Sequence, residues 1–176
     1  MKTFLAALVL STIASAATIT SDLRVTGGGP VSVYYLGADS AYTSDLYFGD
    51  TLLFSNYPGP AIGTSFDLGY IPDGTQLQFS LFVRNTGLTF VSGSGNPDGY
   101  MHFNIYDYIG DPSLPNGVMA RVEDLWIGGD KDHNDLVFVV AILGLEPDAP
   151  VPTPEPGALA LVGLGLMGIW MRRKKA

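Results

Sequence analysis

The chain has 176 residues, 47% of them apolar, with 22 glycines, 12 prolines and no cysteine; this suffices for one domain with a real core, held without disulfides. All seventeen acidic residues lie between Ala17 and Pro156, where only four of the nine Lys and Arg fall, so that body carries a net charge of −13. Such a surface disfavours nucleic acid and anionic lipid as partners and favours divalent cations, although the same charge also serves simply to keep an exported protein soluble.

Residues 1–16 read as a secretory signal peptide: Lys2 is the positive start, an apolar stretch follows from Phe4 to Ile13, and Ala14-Ser15-Ala16 is the small-x-small cleavage site. The mature chain is then expected to begin near Ala17, in a compartment whose oxidising chemistry it does not exploit.

Beyond Ala17 no helical periodicity persists, whereas alternation with a period of two recurs. In "TQLQFSLFVRN" Leu77, Phe79, Leu81 and Val83 share one face, opposite Gln76, Gln78, Ser80 and Arg84. In "GYMHFNIYDY" the same period puts Met101, Phe103 and Ile105 inward and Tyr100, His102, Asn104 and Tyr106 outward. Residues 136–143, "LVFVVAIL", are apolar throughout and far too short to span a bilayer, which predicts a strand buried on both faces. Weaker strands are expected over 18–26, 31–36, 45–54, 64–68, 88–91 and 117–122. Gly and Pro punctuate them, as in Pro72-Asp73-Gly74 and Asn96-Pro97-Asp98-Gly99. This pattern predicts an all-β domain over 17–145, an antiparallel β-sandwich of jelly-roll type.

The most chemically loaded stretch is "VEDLWIGGDKDHNDLVF". Gly128 and Gly129 allow a sharp turn, and Asp130, Asp132, Asn134 and Asp135 then bring oxygens into six residues. Converging oxygens are what Ca²⁺ needs, six to eight of them at about 2.3–2.6 Å. Asp130, Asp132 and Asn134 match the opening of an EF-hand loop, but Asp135 stands where that loop has Gly and Ala141 where it has Glu, so an EF-hand is rejected. Glu123 and Asp124 are the further candidate carboxylates, and Asp98 a third if the fold brings it near. The competing reading is an Asp/Asn-rich turn whose side chains cap backbone N–H groups. His133, alone among oxygens, does not make a zinc site and is expected to face solvent.

The blocks "YLGADSAYTSDLYF", "GTSFDLGYIPDGTQLQFSLFV", "NPDGYMHFNIY" and "VEDLWIGGDKDHNDLVFVV" resemble those of an uncharacterised β-rich domain of secreted bacterial proteins. Its hallmark is a Glu-Asp-Leu, Gly-rich turn, Asp-x-Asp-x-Asn-Asp block, here with Val122 where an aromatic is frequent. The resemblance implies the β fold and the acidic loop as a unit, and no activity.

The chain then runs through a Pro-rich linker, 146–156, into a tail, 157–176. Its fourteen uncharged residues from Ala158 to Met171 make a helix of about 21 Å against a hydrocarbon core of about 30 Å, a single short transmembrane span. Arg172, Arg173, Lys174 and Lys175 stay cytoplasmic by the positive-inside rule. Pro154-Glu155-Pro156, the marginal Gly-rich span and the basic end resemble the PEP-CTERM sorting signal of Gram-negative bacteria. That resemblance implies an exosortase as partner, a transient inner-membrane tether, and delivery to the cell surface or an exopolysaccharide matrix. The alternative is a permanent C-terminal anchor.

No Cys nucleophile and no His-Glu-x-x-His pattern is present. A glycoside hydrolase would draw on Glu123, Asp124 or Asp107, and nothing in the pattern selects them. A non-enzymatic surface or matrix protein is therefore expected. The alternative is a Ca²⁺-dependent carbohydrate-binding module using Trp126, Tyr100, Tyr106 or Tyr108 as stacking faces; the same aromatics equally suit ordinary strand packing.

Overall fold

The computed structural model describes residues 17–110 and 112–143. The predicted signal peptide, Pro-rich linker, C-terminal helix and basic end lie outside these residues. Among the described residues no helix is long and apolar enough to cross a membrane.

The strands are β1 (Thr18–Ile19), β2 (Val25–Thr26), β3 (Gly29–Gly37), β4 (Ser44–Phe48), β5 (Thr51–Ser55), β6 (Ser65–Ile71), β7 (Phe79–Val83), β8 (Leu88–Val91), β9 (Phe103–Tyr108), β10 (Gly117–Val122) and β11 (Leu136–Ile142). A 3-10 turn at Trp126–Gly128 interrupts the strands. All strand pairs are antiparallel, in a five-stranded sheet of order β6-β3-β11-β10-β9, a four-stranded sheet of order β5-β4-β7-β8 and the small β1-β2 pair. The two large sheets share one core, and the expected all-β antiparallel sandwich is what the chain forms.

The alternation read from sequence is what builds that core. Phe79, Leu81 and Val83 of β7 are fully buried, as are Val31 and Val33 of β3. Phe79 meets Phe138 of β11 across the sheets, with ring centroids 5.1 Å apart, and Phe138 also packs edge-on to Phe103 at 6.5 Å. β11 lies between β3 and β10, and its two faces are both buried, Leu136, Phe138 and Val140 on one and Val139 and Ala141 on the other, which accounts for its unbroken apolar sequence. Removing a ring such as Phe138 from this position costs about 3–5 kcal/mol.

Several local expectations need correction. Residues 45–54 are a hairpin rather than one strand, with β4 and β5 joined at Gly49-Asp50, where Gly49 takes φ 57. Residues 18–26 form the separate β1 and β2 around a turn in which Leu23 N–H donates to the Thr20 carbonyl. His102, expected outward, is completely buried, whereas Met101, expected inward, is exposed. The cause is that β9 begins only at Phe103, so strand alternation does not govern the two residues before it.

The β10–β11 connection positions the acidic residues. Val122 pairs with Leu136, so the chain leaves β10 and re-enters β11 at the same level of the sheet. Everything from Glu123 to Asp135 is therefore an excursion pinned at both ends.

Candidate metal centre

Within that excursion the backbone turns at Trp126–Gly128 and then curls. Ile127, Lys131 and His133 all take positive φ (55, 64 and 50), as do Gly128 and Gly129. The left-handed residues at 131 and 133 alternate with Asp130, Asp132 and Asn134. The Asp132 N–H donates to Asp130 Oδ1 at 3.4 Å and the Asn134 N–H to Asp132 Oδ1 at 3.2 Å, two successive Asx turns. Outside the curl, Arg121 spends its guanidinium on the carbonyls of Asp132 and His133, both at 3.1 Å, rather than on a carboxylate.

The glycines are required by their neighbours. A Cβ at Gly128 would enter the Tyr100 ring, and one at Gly129 would lie 3.0 Å from Glu123 Oε1. Tyr100 in turn stacks on His133, with its hydroxyl hydrogen-bonded to Nε2 at 3.1 Å. His133 is thus buried, contrary to the expectation of a solvent-facing ring, and burial holds its pKa below the ordinary value.

Two acidic groups form, and Glu123 belongs to both. One oxygen each of Glu123, Asp130 and Asp132 lie within 4.8 Å of one another, and so do one each of Glu123, Asp124 and Asp135. The first group opens to solvent through Asp130 and Asp132; the second is sealed, Glu123 being 0% exposed. In the inner group Asp124 Oδ2 accepts hydrogen bonds from Ser40 (2.7 Å) and Ser44 (2.9 Å), and Asp135 Oδ2 accepts the Asp124 N–H at 2.8 Å. Asn134 reaches the rest of the fold through its carbonyl, which accepts the Asp39 N–H at 2.9 Å.

The electrostatics follow from this crowding. Burial, then the charges of Asp130 and Asp132, push the Glu123 carboxyl up, against the Leu125 N–H and the Asp135 side chain that hold it down. Asp135 is pushed up to about 7, first by burial and then by Asp124 and Glu123, with the Asp124 N–H opposing. Two oxygens have no partner while the carboxyls are ionised: Glu123 Oε2 and Asn134 Oδ1 are shielded from solvent without a hydrogen bond among the described residues, and only a protonated Asp135 side chain could donate to Glu123. Buried acceptors are normally paired, so an orphaned oxygen on Glu123, whose carboxylate groups with those of Asp130 and Asp132, together with a second orphan on Asn134 of the same curl, fits a hard cation that takes oxygen ligands.

The structure therefore brings the carboxylates of Glu123, Asp130 and Asp132 together, with Asn134 following Asp132 in the same run of Asx turns and Glu123 arriving from the end of β10, where an EF-hand would use a glutamate later in its own loop. Asp124 and Asp135 lie deeper, fixed by serines and backbone. Asp98 does come near, through the Ile127 N–H, which donates to its Oδ2 at 2.7 Å. Its function is different, as its second partner is His102 at 2.9 Å. Burial alone would raise the Asp98 carboxyl, but the N–H groups of Ile127 and Tyr100 and the His102 ring together hold it below the usual range. Sequence reasoning missed His102; an Asp and a His four apart before a strand were the available signal. Of the aromatics, Tyr100 is committed to the loop, Tyr108 is half-buried, and Trp126 and Tyr106 are each 47% exposed.

No curated protein and no solved structure matches the chain. Residues 152–175 match the PEP-CTERM protein-sorting motif, so the chain carries the tail of an exported protein that an exosortase sorts.

Proposed function

We propose that this chain is a non-enzymatic exported protein, delivered through its Pro-Glu-Pro tail to the cell surface or extracellular polysaccharide matrix, whose domain is consolidated by one Ca²⁺. Glu123, Asp130, Asp132 and Asn134 supply oxygens, with backbone and water completing the shell. The observation that carries the calcium reading is the orphaned buried oxygen of Glu123, a residue whose carboxylate groups with those of Asp130 and Asp132, joined by a second orphan, Asn134 Oδ1, in the same curl. An Asx-turn array alone explains Asp130 and Asp132, but leaves those two atoms without a partner. The non-enzymatic reading is supported by the same geometry: Glu123 and Asp124 are sealed in the protein, where a sugar cannot reach them.

Calorimetric titration with CaCl₂ of metal-stripped protein, paired with intact mass of the protein recovered from the native cell's outer fractions, tests both halves. Saturable binding and a C-terminus near 154–157 are expected. Heat of dilution alone sinks the calcium half, and a mass retaining Arg172 to Ala176 sinks the sorted-and-released half.

A second reading, Ca²⁺-dependent carbohydrate binding, is supported by Trp126, exposed in the turn that leads into the loop. A glycan array with Trp126→Ala as control decides it, and absence of calcium-dependent binding removes it.

A further inference from the structure

We propose that His102 and Asp98 are positioning residues of the calcium site, fixing Glu123 at the end of β10 so that its carboxylate serves the Asp130–Asn134 curl. This rests on the calcium reading above. His102 holds Glu123 by both of its main-chain groups: the His102 carbonyl accepts the Glu123 N–H at 2.9 Å, and the ring Nδ1–H donates to the Glu123 carbonyl at 2.8 Å. The ring is itself immobilised. It stacks on Phe90, with centroids 3.5 Å apart, and its Nε2–H donates to Asp98 Oδ2 at 2.9 Å. Both ring nitrogens are thus engaged by oxygens, one of the Glu123 main chain and one of the Asp98 side chain.

Asp98 extends the same hold to the far side of the site. Its Oδ1 accepts the Tyr100 N–H at 3.0 Å, and its Oδ2 also accepts the N–H of Ile127, the first left-handed residue of the turn leading to Asp130. One carboxylate thus ties the β8–β9 connection to the ring that orients Glu123 and to the turn that delivers the other ligands. A strand end needs only its ladder bonds; a fully buried His held by its own carboxylate and bonded to the main chain of the one residue shared by the two acidic groups is the arrangement that fixes a ligand's direction.

The test is Ca²⁺ affinity of the full chain by calorimetry, with Tb³⁺ luminescence as a second probe and melting in chelator as the measure of fold. His102→Asn keeps an amide where Nδ1 donates to the Glu123 carbonyl, and His102→Gln keeps one where Nε2 donates to Asp98. Expected is a loss of about tenfold or more in affinity for His102→Gln, a smaller loss for His102→Asn, and a loss of several-fold for Asp98→Asn, which retains an acceptor for Ile127. If His102→Gln does not fold, Asp98→Asn alone carries the test. Folded variants with wild-type Kd and a melting temperature lowered equally with and without calcium overturn the proposal, because the pair is then packing only. A wild type that binds no calcium overturns the reading of the site itself, which is a different result.

Discussion

Glu123→Gln is expected to change sign with calcium. In the metal-free protein Glu123 presses a buried carboxylate toward Asp130 and Asp132, with ligand oxygens within 4.8 Å. At that separation and an effective dielectric constant of about 20, one like-charge pair costs about 3 kcal/mol. Solvent screening at the exposed Asp130 and Asp132, and proton uptake by the buried group, reduce the recoverable part to about 1–2 kcal/mol. The amide keeps Oε1 for the Leu125 N–H, now at 3.3 Å, so little else is lost. In chelator the variant should therefore melt higher than the wild type, by about 5 °C. With calcium at about a hundred times the wild-type Kd, the wild type gains about 2.7 kcal/mol, whereas a variant bound about a hundredfold more weakly gains only about 0.4 kcal/mol. The order of melting temperatures should then invert. Calorimetric scans in the two buffers decide it: a variant that melts below the wild type by the same amount in both refutes the reasoning.

The metal-free domain should lose stability as pH rises. Asp135 is pushed up to about 7 and Glu123 is raised as well, so between the unfolded values near 4 and the folded ones the native state binds more protons than the unfolded chain. His133, held below its ordinary value, pulls the other way up to about pH 6.5, so the fall is expected in chelator melts from about pH 6.5 to about pH 8, and its absence there would contradict the burial of the triad. Gly128→Ala should fail at the Tyr100 ring and, with φ 74 there, is expected to cost about 2 kcal/mol or more and to weaken calcium binding; chelator melts and calorimetry measure the two. Phe138→Ala should destabilise by about 3–5 kcal/mol in urea unfolding, irrespective of calcium, and a loss below about 1 kcal/mol would mean the two sheets do not pack as described.

How much of this was legible depended on whether local chemistry or long-range packing decided the outcome. The core face of β7 and the two-sided burial of β11 are read directly from period and composition, since each residue's fate there is set by the sheet. The crowding of carboxylates was also legible, because residue type and spacing along 123–135 announce it, and Glu123, Asp124, Asp130, Asp132 and Asp135 do gather into two acidic groups. His102 was not: its burial arises from the β10–β11 excursion folding over it, a contact 21 positions away that no local period encodes. The positive φ of Ile127, Lys131 and His133 was equally hidden, since such residues adopt it only when their surroundings impose it. The β4–β5 hairpin was available in Gly49-Asp50, a two-residue turn signal that the surrounding apolar run obscured.

The strand made last is the one in the middle. β3 and β10 each pair with β11 and not with each other, so a nascent chain that has delivered everything up to the acidic loop still holds two halves of a sheet with no seam. Non-local pairing of this kind makes folding slow and late. If the expected signal peptide leads the chain through a membrane N-terminus first, the body should stay unfolded, and therefore threadable, until residues 136–142 emerge. The acidic loop immediately before that strand would then take its form only as the sheet closes, so that on the calcium reading proposed above the ion would be met at the last step of folding.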